Sequence, residues 1–144
     1  MARYAVNKNS FSIDTDALLA SPTGTPVYSV IGGLESFDPS FDDQLQTSFF
    51  MDNSGFASND VTGQDITITF SGKRNYGNVA QDAIVGVILD VERRKTSIQW
   101  TLPGSEGEFT IPCVITDITP GGGATTDLDE CSFVIRLDGT PLFA

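Results

Sequence analysis

The sequence contains no histidine. That removes the usual general base near neutral pH, and with it most zinc sites and Ser-His-Asp triads. Cysteine is nearly absent: Cys113 and Cys131 are the whole complement, too few for a disulfide framework. Basic side chains are scarce, with 8 Lys and Arg against 19 Asp and Glu, for a net charge of -11. Phosphates are repelled by such a surface, which argues against a grip on nucleic acid or an anionic membrane. It does not argue against a surface that lets DNA pass without sticking. No apolar run approaches bilayer-spanning length, and residues 1–8 lack the apolar segment of a signal peptide, so folding in the cytosol is expected. Nucleotide-binding signatures are missing as well. Gly121-Gly122-Gly123 has neither the lysine nor the following helix of a phosphate cradle.

What is present is enough for a core. The chain has 144 residues, 40% hydrophobic and 10% aromatic, which reads as a single domain over 1–144. Residues 64–95 organise it. Ile66, Ile68 and Phe70 alternate with threonines, the period of a strand with one buried face. Glycines and polar residues break the pattern over 71–77. Ala80, Ala83, Ile84, Val87, Ile88 and Val91 then fall three or four apart and predict one helix. Asn78 is its N-cap, with Gln81 placed to complete a capping box. Gly86 suggests close packing, and Arg93, Arg94 and Lys95 suit the negative end of the helix dipole.

Short strands surround this unit. Phe11 and Ile13 alternate over 10–14, while 14–19 is open between loop and helical turn. Residues 27–34 read as a strand in which Gly32-Gly33 marks a bulge or a close backbone approach. Residues 96–102 hold the only tryptophan, Trp100. Phe109, Ile111, Cys113 and Ile115 share one face of the next strand, and Pro112 between them suggests an edge or a bulge. In the last strand, 130–138, Cys131, Phe133, Ile135 and Leu137 point inward, with Ser132, Val134 and Arg136 outward. The cysteines read as reduced core thiols on neighbouring strands rather than as a disulfide or metal pair. The fold class is α+β, mainly β: a β-sandwich or open barrel with one flanking α-helix and a long loop arm.

Residues 37–63 stand apart. They hold five phenylalanines with no sustained period, broken by turn signals such as Asp52-Asn53-Ser54-Gly55. Free disorder does not carry that many aromatics. Two readings stand: an arm that buries its aromatics against another molecule, or a satellite cluster folded on its own domain with a short hairpin at 45–51. The carboxylates gather at Asp14/Asp16, Asp38/Asp42/Asp43 and Asp127/Asp129/Glu130. They match neither a glycosidase pattern nor the twelve-residue calcium loop, and read as solvated loop charges.

Ile31-Gly32-Gly33-Leu34-Glu35-Ser36-Phe37, followed by a long loop and by the strand and helix of 70–89, resembles the major tail tube proteins of long, non-contractile phage tails. The strand with Pro112, Gly122-Gly123-Ala124, Ser132-Phe133 and Asp138-Gly139-Thr140-Pro141 extend the likeness, which covers the chain from Val27 onward. The resemblance implies a structural virion protein with no enzymatic activity and no cofactor or metal. Its partners would be itself, in hexameric rings stacked into a tube, and the tape measure protein. DNA would pass through without specific binding. No membrane is implied; the location is the virion tail, assembled in the host cytoplasm. An N-terminal arm over 1–26 would bridge subunits, and the loop 37–63 would reach the adjacent ring through Phe37, Phe41, Asp42, Asp43, Phe49, Phe50 and Phe56. Asp65, Thr67 and Thr69 are candidates for the lumen face, with Ser132, Val134 and Arg136 as the rival set. Lys73, Arg74, Arg93, Arg94 and Lys95 are a candidate basic interface opposite Asp42, Asp43 or Asp60, or else a solvated turn and helix end. The alternatives are another virion module, a capsid decoration or tail terminator protein, and a calcium-dependent carbohydrate-binding sandwich.

Overall fold

The computed structural model describes residues 3–144; Met1 and Ala2, part of the expected N-terminal arm, lie outside the described residues. Antiparallel strands dominate: β1 (Ser10–Asp14), β2 (Tyr28–Val30), β3 (Leu34–Phe49), β4 (Ala57–Lys73), β5 (Lys95–Thr101), β6 (Glu108–Thr119), β7 (Glu130–Leu137) and β8 (Leu142–Phe143). The helix α1 (Val79–Gly86) follows β4. The strand order is β2-β1-β5-β6-β7-β4-β3, with β8 added alongside β6. This sheet rolls up on itself. The rings of Phe11 in β1 and Phe70 in β4 meet at 4.7 Å, although three strands lie between them in the sheet. The enclosed side is the core, with Ile13, Ile68, Ile98, Ile111, Ile115 and Ile135 buried and α1 adding Ala80 and Ile84. The alternation of apolar and polar residues thus yields the expected mainly β open barrel with one flanking helix.

The two edges of the sheet, β2 and β3, are joined by residues 31–33. Ile31 N–H donates to Phe11 O and Lys73 N–H to Gly33 O. The backbones approach so closely that a Cβ on Gly72 would collide with Gly33 O, and one on Gly33, whose φ is +76°, with Lys73 O. Gln81 locks this seam from inside the helix. Its Nε2 donates to Gly32 O and Lys73 O, and its Oε1 accepts from Asn75 N–H and Arg74 Nη1. Asn78 does cap α1 by accepting from Gln81 N–H, but the Gln81 side chain does not complete a capping box. The orphan carbonyls at the seam claim it instead.

Several expectations are corrected. The helix ends at Gly86, which has open space around it rather than close packing. Val91 is exposed and begins a separate 3-10 turn, because Asp90 caps Glu92 N–H. Residues 1–26 do not form an arm throughout: β1 is an interior strand between β2 and β5. Asp14 and Asp16 are buried, not solvated. Asp16 accepts from Thr23 Oγ1 and from Thr23 and Gly24 N–H, and Asp14 accepts from Asp16 and Val27 N–H, so together they tie down the loop before β2. Pro112 lies in an interior strand, not at an edge. Its carbonyl accepts from Asp138 N–H where the partner of β6 changes from β7 to β8, a gap that needs no donor from it.

Both cysteines are free and buried on neighbouring strands. Cys113 is in register with Leu137, and Cys131 sits about 20 Å away along β7, too far for a disulfide. Burial pushes the Cys113 thiol up to about 12, with Asp138 adding to the effect, and burial also raises Cys131.

Two measurements test these assignments. Gln81→Leu keeps the volume but strands buried partners, and should cost about 3 kcal/mol in chemical denaturation. The Thr23 hydroxyl holds the Asp16 carboxyl below 3.8. Its stabilisation is present at neutral pH and lost as pH falls through that depressed value. Asp16→Asn should therefore lower the Tm at pH 7, with the gap to the parent closing below pH 3.8.

Candidate functional site: a projecting ribbon and an acidic face

β3 and β4 pair continuously from Leu34↔Gly72 to Phe49↔Ala57. β7 covers β4 only from Thr67 to Lys73. Beyond Ile66 the two strands therefore leave the barrel as a free two-stranded ribbon, about 27 Å long from Phe41 to Phe49. Residues 37–63 are thus a β-hairpin and not an irregular loop. It is much longer than the short hairpin expected at 45–51, and Ser54 (φ 54°) and Gly55 (φ 80°) close it. A register shift after Gln44 sets a bulge in the ribbon.

The ribbon has two unlike faces. The buried side of the barrel continues outward as Phe41, Leu45 and Phe49, with Val61 opposite Leu45. Phe37, at the base, is not part of the contact arm. It packs in the barrel against Phe11 (4.8 Å) and Trp100 (5.5 Å). Beyond it the apolar side chains lose their cover: Phe41 is 43% exposed, Leu45 61%, Phe49 69% and Met51, at the tip, 98%. Phe50 and Phe56 are exposed beside Met51. Isolated two-stranded ribbons are marginal in water, and an exposed apolar stripe of this kind marks a contact surface.

The outer face is polar and acidic. Asp42 lies directly opposite Asp65, Ser40 opposite Thr67 and Asp38 opposite Thr69. On the far side of β4, Thr67 pairs with Arg136, Thr69 with Val134 and Ser71 with Ser132. The two rival sets for a lumen lining, Asp65/Thr67/Thr69 and Ser132/Val134/Arg136, are neighbours on one continuous surface. Its cations are both paired with acids: Arg136 with Asp117 (3.8 Å), and Lys73, at the end of the same row of β4, with Glu130 (3.4 Å). Asp43 is on the other face, where Gln64 Nε2 donates to it. From residue 9 to residue 72 there is no Lys or Arg at all.

The candidate basic residues are largely engaged within the chain. Lys73 faces Glu35 and Glu130, and Lys95 faces Asp138. Arg74, with its side chain 7% exposed, pairs with Asp82 at 2.7 Å and stacks on Tyr76. Arg93 pairs with Asp90 and holds that carboxyl below its ordinary range. Arg94 donates to the carbonyls of Val87 and Ile88 and so closes the end of the helix. Within the chain each of them thus already has an acid or carbonyl partner. The sequence reading missed Leu45, Met51 and Val61 as ribbon residues and Asp38 as part of the acidic face. Among the described residues no group of acidic or thiol side chains is arranged to hold a metal ion, and no helix is long and apolar enough to cross a membrane.

Because these aromatics touch no core, replacing Phe49, Phe50 and Phe56 together with serine should leave the denaturation midpoint within about 0.5 kcal/mol of the parent. The same variant should lose concentration-dependent association in analytical ultracentrifugation.

No family model and no curated protein matches the chain by sequence. Solved structures do match by fold. A chain from the tail of an empty gene transfer agent (GTA) particle, refined with C6 helical symmetry, superimposes with a TM-score of 0.77 at 15% identity, covering 99% of both chains. The tube-terminating cap of the anti-feeding prophage gives 0.64 at 12% identity over 100% of this chain and 93% of that one. The sheath/tube terminator of an extracellular contractile injection system (PVC) gives 0.61 at 12% identity over 100% and 98%. The end-to-end coverage shows that the whole of this chain has the fold found in phage-like tails and in their tube terminators, as the resemblance in the sequence implies.

Proposed function

We propose that this protein is a structural subunit of a tail tube, and that its work is to join copies of itself rather than to catalyse a reaction. The observation that carries this reading is the ribbon, an apolar surface with no cover in the monomer, on a fold shared from end to end with a chain of a GTA tail. The outer edges of β2 and β3, the two ends of the strand order, carry unpaired backbone groups. In a monomer such edges are a hazard; in a closed ring they pair with neighbours. Two different surfaces on one chain give a head-to-tail contact, the kind that closes rings by rotation and extends them by stacking. Hexameric rings stacked around a tape measure protein, in a virion tail assembled in the host cytoplasm, are the assembly this predicts.

The acidic face suits the wall of the channel. Short Ser, Thr and Asp side chains on β3, β4 and β7 leave a smooth surface that repels phosphate, so DNA would slide along it without being held. A second reading, a tube terminator, is favoured by the likeness to the two terminators. It differs in outcome, since a terminator stops a tube and does not extend one.

Negative-stain microscopy of the concentrated protein tests both. Tubes of varied length support the tail tube, rings that never stack support the terminator, and a particle solitary at every concentration overturns assembly altogether. Deleting residues 41–56 and closing the ribbon with a short turn should leave a folded monomer that does not elongate. Normal tubes from that variant would remove the ribbon from the mechanism.

A further inference from the structure

A groove of about 400 Å³ opens where the two ends of the rolled sheet come together. Its apolar wall is Val6, Phe11, Val30, Ile31, Leu34 and Phe37, with Val6 and Val30 exposed, and Asn7, Asn9, Glu35 and Ser36 line it beside them. Along that wall the outer edge of β3 is unpaired. The segment before β1 runs along the opposite side, held by Asn9, whose Oδ1 accepts from Trp100 Nε1. This segment carries Arg3 and Lys8, which make no ion pair among the described residues, whereas five of the other six basic side chains are paired with acids and Arg94 is taken by carbonyls.

We infer that this groove receives the ribbon tip of a second copy of the chain. The inference rests on the tail tube reading and names the surface on which the ribbon lands. Three observations select this occupant. The tip presents Phe49, Phe50, Met51 and Phe56, all exposed, and the groove offers an apolar wall able to cover them. The ribbon carries Asp43, Asp52 and Asp60 with no base; Lys8 falls in the chain between the groove-lining Asn7 and Asn9 and makes no ion pair among the described residues, while the lining acid Glu35 is already paired with Lys73, so the charges match. Finally, the tip cannot reach its own groove. Phe37 forms part of the groove wall, and the continuous ladder carries Phe49 about 40 Å away from it. The contact is therefore between copies and repeats without closing on itself along the axis.

Disulfide trapping tests this in the full-length chain. Val30→Cys and Phe50→Cys place one thiol at the groove rim and one at the tip, both at exposed positions. Cys113 and Cys131 are buried in the fold, away from the oxidant. Under mild oxidation the mixed variants should give a covalent dimer at about ten times the yield of either alone, on the scale by which a specific contact exceeds random collision. Tubes visible by microscopy without that dimer would overturn the groove as the landing site and leave the tube reading intact. Neither tubes nor dimer would overturn both. A second variant, Lys8→Glu, should slow elongation about tenfold at low salt, with the difference disappearing at high salt. Unchanged elongation with an unchanged Tm would count against the charge match. Trapping of the tip to an unrelated tail component, and never to a second copy, would also overturn the inference.

Discussion

The meeting of Phe11, Phe37 and Phe70 is the contact on which the rest depends. It joins strands from opposite ends of one sheet, so it converts a flat ladder into an enclosed core. The aromatic series continues on both sides, from Phe70 to Phe133 and from Phe11 through Trp100 and Phe109 to Phe143. Each such pair adds roughly 0.5–1.5 kcal/mol beyond the area it buries. Phe37 has a second role, because it fixes the base of the ribbon. A ribbon hinged on a flexible loop would lose much of its binding energy to ordering, whereas one that grows from a packed core strand is aimed before it meets a partner.

Much of the fold was legible because the core strands obey a single rule. Ile66-x-Ile68-x-Phe70 and Cys131-x-Phe133-x-Ile135 alternate cleanly, and each emerged with its inward set buried. The capping of α1 by Asn78 was legible for an equally local reason. The helix came out shorter because apolar spacing persists through Val87 and Ile88 after the backbone has left the helix. Gln81 was read as half of a capping box, because nothing local shows that its amide answers carbonyls 49 and 8 residues away.

The ribbon was harder to read for a physical reason. Phe41, Leu45 and Phe49 do share a face, but Asp43 and Thr47 sit between them on that same face, so the period of two is masked. A strand that packs on a core cannot carry a carboxylate there, whereas one awaiting a partner can. The masking is itself a mark of an unfilled surface. The basic residues find partners within their own chain. Their clustering suggested an interface, yet pairing at short range, as with Arg74 and Asp82, consumes a cation before any neighbour arrives. Charge bookkeeping by segment is more informative: the long base-free stretch contains the whole ribbon.

Trp100 deserves a last consequence. It is the sole indole in the chain, it is bonded to Asn9 beside the groove, and its ring contacts Phe11, Phe37 and Phe109. Its environment is thus set by the same residues that join the N-terminal segment to the root of the ribbon. The protein carries its own optical reporter: the colour and quenching of a single emitter follow the polarity of that junction, with no dye attached.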